Sequence, residues 1–287
     1  MDRRILDLFN NYRHTTMDRR VFLERLAKLA GGAAAAVALL PLLEGNPEAA
    51  IISPEDPRLS TETVRLRGPA GEISAYQARP KDKAATRLPG VLVIHENRGL
   101  NPHIRDVARR AALAGYNALA PDLLSRKGGT PPVQQEAIAA IRSLNPSDTI
   151  ADLKAALTYL KGRADVRGDR LGVVGFCWGG GMTNRLATAA PELRAAAAFY
   201  GPVPPLSDVR KIKAHMLLIY GGNDRWVNKG IPGYKEALDE AGVSYEMKTY
   251  PGAEHAFHND TGPARYNAEA AKDAWARTLA LFAKQLS

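Results

Sequence analysis

Cysteine is nearly absent from this sequence: 287 residues hold one, Cys177. A single thiol forms no internal disulfide, and it supplies neither a cysteine zinc site nor an iron–sulfur cluster, each of which needs several thiolates. No metal and no organic cofactor is expected. Cys177 is therefore either buried filling or a reagent. Long apolar runs are also missing. The uncharged stretch from Leu29 to Leu43, rich in Ala and Leu and interrupted by Pro41, is shorter than the ~20 residues that a membrane span takes. No five like charges follow one another, and no basic stretch alternates with aromatics. The net charge of +9, whose excess lies in residues 51–287, thus reads as a solvated, mildly basic surface, with no nucleic-acid partner.

What is present is enough to build a large core. The chain is 45% hydrophobic and 24% charged, and its length suits one sizeable α/β domain behind a short leading segment. Composition changes at Ile51, which divides the chain into residues 1–50 and a body at 51–287. The leading segment carries Asp18-Arg19-Arg20-Val21-Phe22-Leu23 before its apolar stretch. Paired arginines followed by Phe-Leu resemble a twin-arginine export signal, with a cut near Ala49-Ala50 and a periplasmic destination. The alternative is an uncleaved amphipathic helix lying on the body of a cytoplasmic protein, in line with the echo of Met1-Asp2-Arg3-Arg4 at Met17 to Arg20.

In the body, hydrophobic periodicity alternates between strand and helix. Glu62 to Arg67 and Glu72 to Arg79 read as a hairpin turning at Gly68-Pro69-Ala70-Gly71. Short apolar runs at Val91–Ile94, Asn117–Ala120, Leu171–Val174, Ala195–Phe199, His215–Tyr220 and Ser244–Tyr250 read as strands. Between them come helices starting at Pro102, at a cap on Ser147, at Trp178, near Tyr234 and at Ala268. Such alternation predicts a mainly parallel sheet of about eight strands with helices on both faces, and ligands gathered at the carboxyl ends of the strands.

One of those strand ends carries chemistry. Gly175-Phe176-Cys177-Trp178-Gly179-Gly180-Gly181 has the form of a nucleophile elbow with Cys in the Ser position. Flanking glycines relieve clashes at a strained turn, and the following helix's amino terminus favours negative charge beside the thiol. Asp224, after the strand His215–Tyr220, and His255, after the last strand, complete the order nucleophile, acid, histidine. In those places His255 takes and returns the thiol proton and Asp224 fixes its tautomer. Taken singly, Asp224 also reads as a turn aspartate and His255 as a surface-loop histidine.

These segments, with Ala118-Leu119-Ala120-Pro121-Asp122-Leu123-Leu124 and Gly252-Ala253-Glu254-His255-Ala256-Phe257, resemble the dienelactone hydrolase (carboxymethylenebutenolidase) family of the α/β-hydrolase superfamily over about residues 60–285. The resemblance implies an α/β-hydrolase fold and a Cys177–His255–Asp224 triad cleaving a small ester or lactone through a thioester. It implies that Glu96, after the third strand, gates the thiol; a salt bridge from Glu96 to Arg98 or Arg105 is the other reading. It further implies an oxyanion hole from the backbone N–H groups of Trp178 and Asn97, with His95 and Arg98 on the same loop as candidate substrate contacts. The family's best-known members hold a substrate carboxylate with two arginines, one of them four residues after the histidine. Here that position is Asn259, so Arg98, Arg142 or Arg265 is left to take the role. Two other functions fit the same residues: a thioesterase or broad acyl hydrolase, and a non-catalytic thiol-sensing or ligand-binding protein. Oligomeric state is not legible in the sequence.

Overall fold

The computed structural model describes residues 2–14, 17–44, 52–83 and 86–287. Eight strands form one sheet: β1 (Leu59–Gly68), β2 (Gly71–Pro80), β3 (Leu88–Ile94), β4 (Asn117–Pro121), β5 (Val166–Phe176), β6 (Leu193–Phe199), β7 (His215–Gly221) and β8 (Tyr245–Tyr250). Their order is β1-β2-β4-β3-β5-β6-β7-β8. The predicted hairpin pairs antiparallel, with Gly68 opposite Gly71, and β2 pairs antiparallel with β4; from β4 to β8 every pairing is parallel.

The strict alternation of side chains along a strand sorts the apolar residues into two layers. On β3, Val91 and Val93 face α4 (Pro102–Leu113) and α10 (Ala268–Leu286). Leu92 and Ile94 face the other way, onto α6 (Pro146–Gly162), α7 (Trp178–Ala189) and α9 (Ile231–Glu240). Because both faces are covered, the strands read as short, continuous apolar runs. The predicted α/β-hydrolase arrangement is therefore present. One local expectation is corrected: α6 is capped by Asn145, whose Oδ1 accepts from the N–H of Ser147 at 2.8 Å, and not by Ser147. Pro146 occupies the first helical position, where its missing N–H costs nothing, so the cap falls on the residue before it.

The leading segment forms three helices, α1 (Arg3–His14), α2 (Arg19–Ala30) and α3 (Ala33–Glu44), around Ile5, Phe9, Phe22, Leu26, Ala36 and Leu43. The echoed Asp-Arg-Arg has a local cause. Asp2 and Asp18 each accept the backbone N–H two residues on, at 2.9 and 2.7 Å, at the start of a helix. Among the described residues no helix is long and apolar enough to cross a membrane. The cut expected near Ala49-Ala50 lies outside the described residues. These helices reach the body where Phe9 packs under the Arg265 guanidinium and where Arg142, on α5 (Gln134–Arg142), donates to the carbonyl of Tyr12 at 3.1 Å.

Sheet order also places the site. From β3 the chain crosses to β4 on one side, then to β5 on the other, so a crevice opens above the carboxyl ends of β3 and β5. The closest packing lies there. A Cβ on Gly175 would sit 2.3 Å from the carbonyl oxygen of Gly179, and one on Gly179 would sit 2.3 Å from that of His95. Both obstacles are backbone and cannot swing aside. Gly175→Ala is expected to destabilise the fold by about 2–3 kcal/mol, the cost of overpacking a tight site, read as a lower urea midpoint at unchanged slope. A midpoint equal to the parent's would show that the elbow has slack.

Candidate active site

Cys177 sits where β5 turns into α7, with φ 57° and ψ −120°, in the positive-φ region that non-glycine residues seldom enter. Its N–H donates to the carbonyl of Phe199 at 3.0 Å, and its own carbonyl accepts from Gly181 at 3.1 Å. The side chain is thereby turned out of the sheet into the crevice. Trp178 is the first residue of α7, so its N–H belongs to the turn whose donors have no acceptor within the helix.

His255 is brought to the thiol by the loop after β8. Its Nε2 lies 3.0 Å from Cys177 Sγ, and its Nδ1 donates to Asp224 Oδ2 at 2.5 Å. Cys177, His255 and Asp224 are all almost fully buried, at 2%, 1% and 4% exposure, so little water screens the relay. Asp224 serves twice. Its Oδ1 accepts from the N–H of Val227 at 3.1 Å and caps the short helix α8 (Arg225–Asn228), which leaves Oδ2 aimed at the imidazole. Asn223, next to it, donates from Nδ2 to Gly252 O and Glu254 Oε1 at 2.8 and 2.9 Å and ties the acid loop to the histidine loop. Burial alone would lower the His255 pKa, but Cys177 and the Asp224 carboxylate outweigh it and raise the value to about 9.

Beyond the imidazole, the histidine loop is pinned again. Asp260 meets Arg110 of α4 at 2.5 Å and His103 at 3.3 Å. Burial would raise Asp260, yet those partners hold it down at about 2. His258, between the two pins, stacks on Phe176 at 5.0 Å, and burial with the nearby His103 and Arg110 lowers it to about 3. It is a neutral core aromatic.

A cavity of about 150 Å³ opens over the thiol. Its walls are Asn97, Ile141, Arg142, Cys177, Trp178, Pro202, Trp226 and His255. The predicted Cys177, His255, Trp178 and Asn97 thus share one cavity, with Asp224 behind the histidine. Glu96 is buried beside them, and its Oε2 accepts from Asn259 Nδ2 at 2.8 Å. His95 and Arg98 are buried but form no part of the cavity wall. His95 braces the loop: Leu123 N–H donates to its Nε2 at 3.2 Å, its Nδ1 donates to Glu96 O at 2.7 Å, and its ring stacks on Trp178 at 5.5 Å. Burial lowers its pKa, in keeping with a neutral ring. Asp122, from the Pro-Asp-Leu segment, is likewise structural, accepting from Leu124 N, Thr130 N and Thr130 Oγ1.

Three functional candidates were not singled out as site residues from the sequence. Trp226 is 51% exposed and walls the cavity two residues after Asp224. Tyr200, with φ 38°, packs on the His255 ring at 5.1 Å. Ile141 on α5 packs with Ala137 and Leu124 against Trp178. Of the three arginines left open, Arg142 is the one in the cavity wall, while Arg265 lies over Phe9. Among the described residues no cluster of three or more His, Cys, Asp or Glu has the arrangement of a metal site.

The chain has relatives of known family. A protein of Methylorubrum extorquens provisionally named carboxymethylenebutenolidase is 36% identical over 228 residues, covering 75% of this chain and 77% of its own. A Bradyrhizobium protein provisionally named 2-oxo-3-(5-oxofuran-2-ylidene)propanoate lactonase is also 36% identical, over 77% of this chain and 95% of its own. The crystal structure of a Klebsiella pneumoniae protein, provisionally a dienelactone hydrolase, superposes with a TM-score of 0.72 at 32% identity, over 79% of this chain and 99% of that one. The family model for dienelactone hydrolases matches residues 73–286, and the chain belongs to that family.

Proposed function

We propose that this protein hydrolyses a small ester or lactone with Cys177 as nucleophile, His255 as acid and base, and Asp224 as the group that orients the imidazole. The observation that carries the reading is the unbroken relay from Asp224 Oδ2 through His255 to Cys177 Sγ, at 2.5 and 3.0 Å, on the floor of a cavity. With His255 raised to about 9, the imidazole carries a proton at neutral pH and faces Cys177 Sγ at 3.0 Å, the arrangement that favours a thiolate. Sulfur attacks the carbonyl carbon, and the oxyanion that forms is met by the N–H groups of Trp178 and Asn97. As the carbon–oxygen bond breaks, imidazolium protonates the leaving alkoxide and a thioester remains on Cys177. Water, deprotonated by His255, then cleaves the thioester to the acid and restores the pair. In a lactone the alcohol and the acid stay in one molecule.

The cavity bears on the substrate class. Its volume of about 150 Å³ suits a small acyl group, and Trp178, Trp226, Ile141 and Pro202 give it apolar walls. Arg142 is the cation in that wall, which favours an ester or lactone bearing a carboxylate. The lactonase and carboxymethylenebutenolidase names of the relatives support the same class.

Three outcomes test this. Cys177→Ala should abolish turnover of p-nitrophenyl esters and lactones, and stopped wild-type reactions should show one acyl group added to the intact mass; full activity in the variant would sink the assignment. The imidazolium is needed to protonate the leaving group, and a raised value means that it persists below about 9 and is lost as pH rises through it. kcat/KM should therefore fall on the alkaline side near pH 9, and an unchanged rate to pH 10 would contradict the proton's place. Finally, Arg142→Ala should raise KM roughly tenfold for a carboxylate-bearing ester and leave a neutral ester unaffected, since a charge-assisted hydrogen bond is worth about 1.5–3 kcal/mol; equal effects on both would remove Arg142 from recognition.

A further inference from the structure

The leading segment touches the body beside the cavity. Arg142 is the last residue of α5 and lines the cavity over Cys177, and its guanidinium also donates to the carbonyl of Tyr12 at 3.1 Å. Tyr12 lies in the last turn of α1, among the carbonyls that have no N–H partner within the helix and that form its negative end. Arg142 thus closes the end of α1. The Tyr12 ring stacks on Phe22 of α2 with centroids 4.4 Å apart, which ties that carbonyl to the segment's own core. On its other side α5 reaches the elbow: Ile141 and Ala137 pack with Leu124 against Trp178, the residue after the thiol. The helix is therefore held between the elbow and the leading segment, and the second hold is the looser. A cavity of about 290 Å³ opens in that seam, between Tyr12, Met17 and Arg19 of the segment and Gln135, Ile138 and Ala139 of α5. A further anchor sets the segment's place. Phe9, 1% exposed, packs under the buried guanidinium of Arg265 at 5.3 Å, and Ala264 packs on the same cluster. The segment thus spans from the chain that follows the histidine loop to the helix that carries Arg142.

We propose that the leading segment is a positioning element of the substrate site, which holds the Arg142 guanidinium in place at the cavity wall for a carboxylate-bearing substrate. The inference rests on the proposed role of Arg142 in recognition, and it takes the segment as a helical unit lying on the body. A guanidinium has five N–H donors in one rigid plane, enough to hold a backbone carbonyl and a carboxylate together. Arg142 is exposed, and an exposed arginine rotates among many conformers until something fixes it. In the free enzyme Tyr12 O does so, and the side chain is already ordered when the substrate arrives. The chemical steps are left alone. The segment's core of Ile5, Phe9, Phe22, Leu26, Ala36 and Leu43 is separate from the two layers that cover the sheet, so unpacking it leaves the relay intact. The segment therefore acts on KM and not on kcat.

The test uses the full chain and two probes: 4-acetoxybenzoate, which bears a carboxylate, and phenyl acetate, which does not. Phe9→Ala removes the ring under Arg265, and Asn11→Pro, at an exposed position, kinks α1 one residue before Tyr12. Each should raise KM for 4-acetoxybenzoate about fivefold, the cost of ordering one long side chain on binding. kcat and the KM for phenyl acetate should stay at the parent's values, and hydrogen exchange at α5 should quicken. Where Phe9→Ala folds poorly, Asn11→Pro carries the test. In an Arg142→Ala background neither substitution should change KM further, whereas a general loosening of the cavity would still do so. Parent-like KM values in both variants overturn the proposal, as does an equal rise for the two esters. Unchanged exchange at α5 overturns it too, because these contacts then do not hold the helix. Arg142→Ala separates the two readings. If it leaves KM for 4-acetoxybenzoate at the parent's value, the recognition role of Arg142 fails and the positioning role with it; if it raises KM while Phe9→Ala and Asn11→Pro do not, only the positioning role is refuted.

Discussion

The site depends on how closely α7 presses onto the end of β3. Cys177 keeps a backbone conformation with φ 57° only because the chain on either side is locked: Phe199 O accepts its N–H, and Gly175 and Gly179 come into backbone contact that no side chain would permit. The contact sets the distance from β5 to β3, and so from the thiol to Glu96 and Asn97 on the loop that follows β3. Sheet order supplies the rest. With β4 on one side of β3 and β5 on the other, the two loops diverge at the switch point and leave the crevice that becomes the cavity.

A dry relay needs its members held from outside, because buried charged groups without partners neutralise or move. Asp224 and His255 each have such a hold. Asp224 is fixed by Val227 N–H, His255 by Tyr200 against its ring and by Asn223 across to Gly252, and the end of its loop by the Asp260–Arg110 pair. Arg110 also pairs with Asp106, which accepts the N–H of Ile52, so the same ionic group joins the histidine loop, α4 and the start of the body. Rigid partners of this kind hold the buried groups in place without solvent, as in sites preorganised for developing charge.

Much of this was legible in the sequence, for physical reasons. Apolar runs such as Val91–Ile94 and the helical spacing of Leu153, Leu157 and Leu160 reflect burial, which acts on every residue of an element and so leaves a periodic trace. The elbow was legible because its backbone demands glycine at fixed offsets. The rest of the cavity wall was not. Trp226 and Ile141 meet over Cys177 only after α5 and α8 dock, and no local pattern requires them or picks Arg142 out of the three arginines. His95 was misleading for the opposite reason: its loop lies in the site, but both of its ring nitrogens bond to the backbone. A histidine's place in the sequence does not say which way its ring turns.

The cations around the site follow one logic. Positive charge behind the histidine loop is spent on Asp106 and Asp260, deep in the body, where it shapes the loop and meets no ligand. At the position four residues after His255, where the family resemblance places a substrate-binding arginine, the chain carries Asn259, turned inward to Glu96. The cation that does reach the cavity comes instead from the end of α5, a helix that packs through Ile141 on Trp178 and through Arg142 on the leading segment. Carrying the charge on α5 and not on the histidine loop separates two tasks. Neutral and internal partners hold the histidine loop, while Arg142 of α5 brings a cation to the cavity wall.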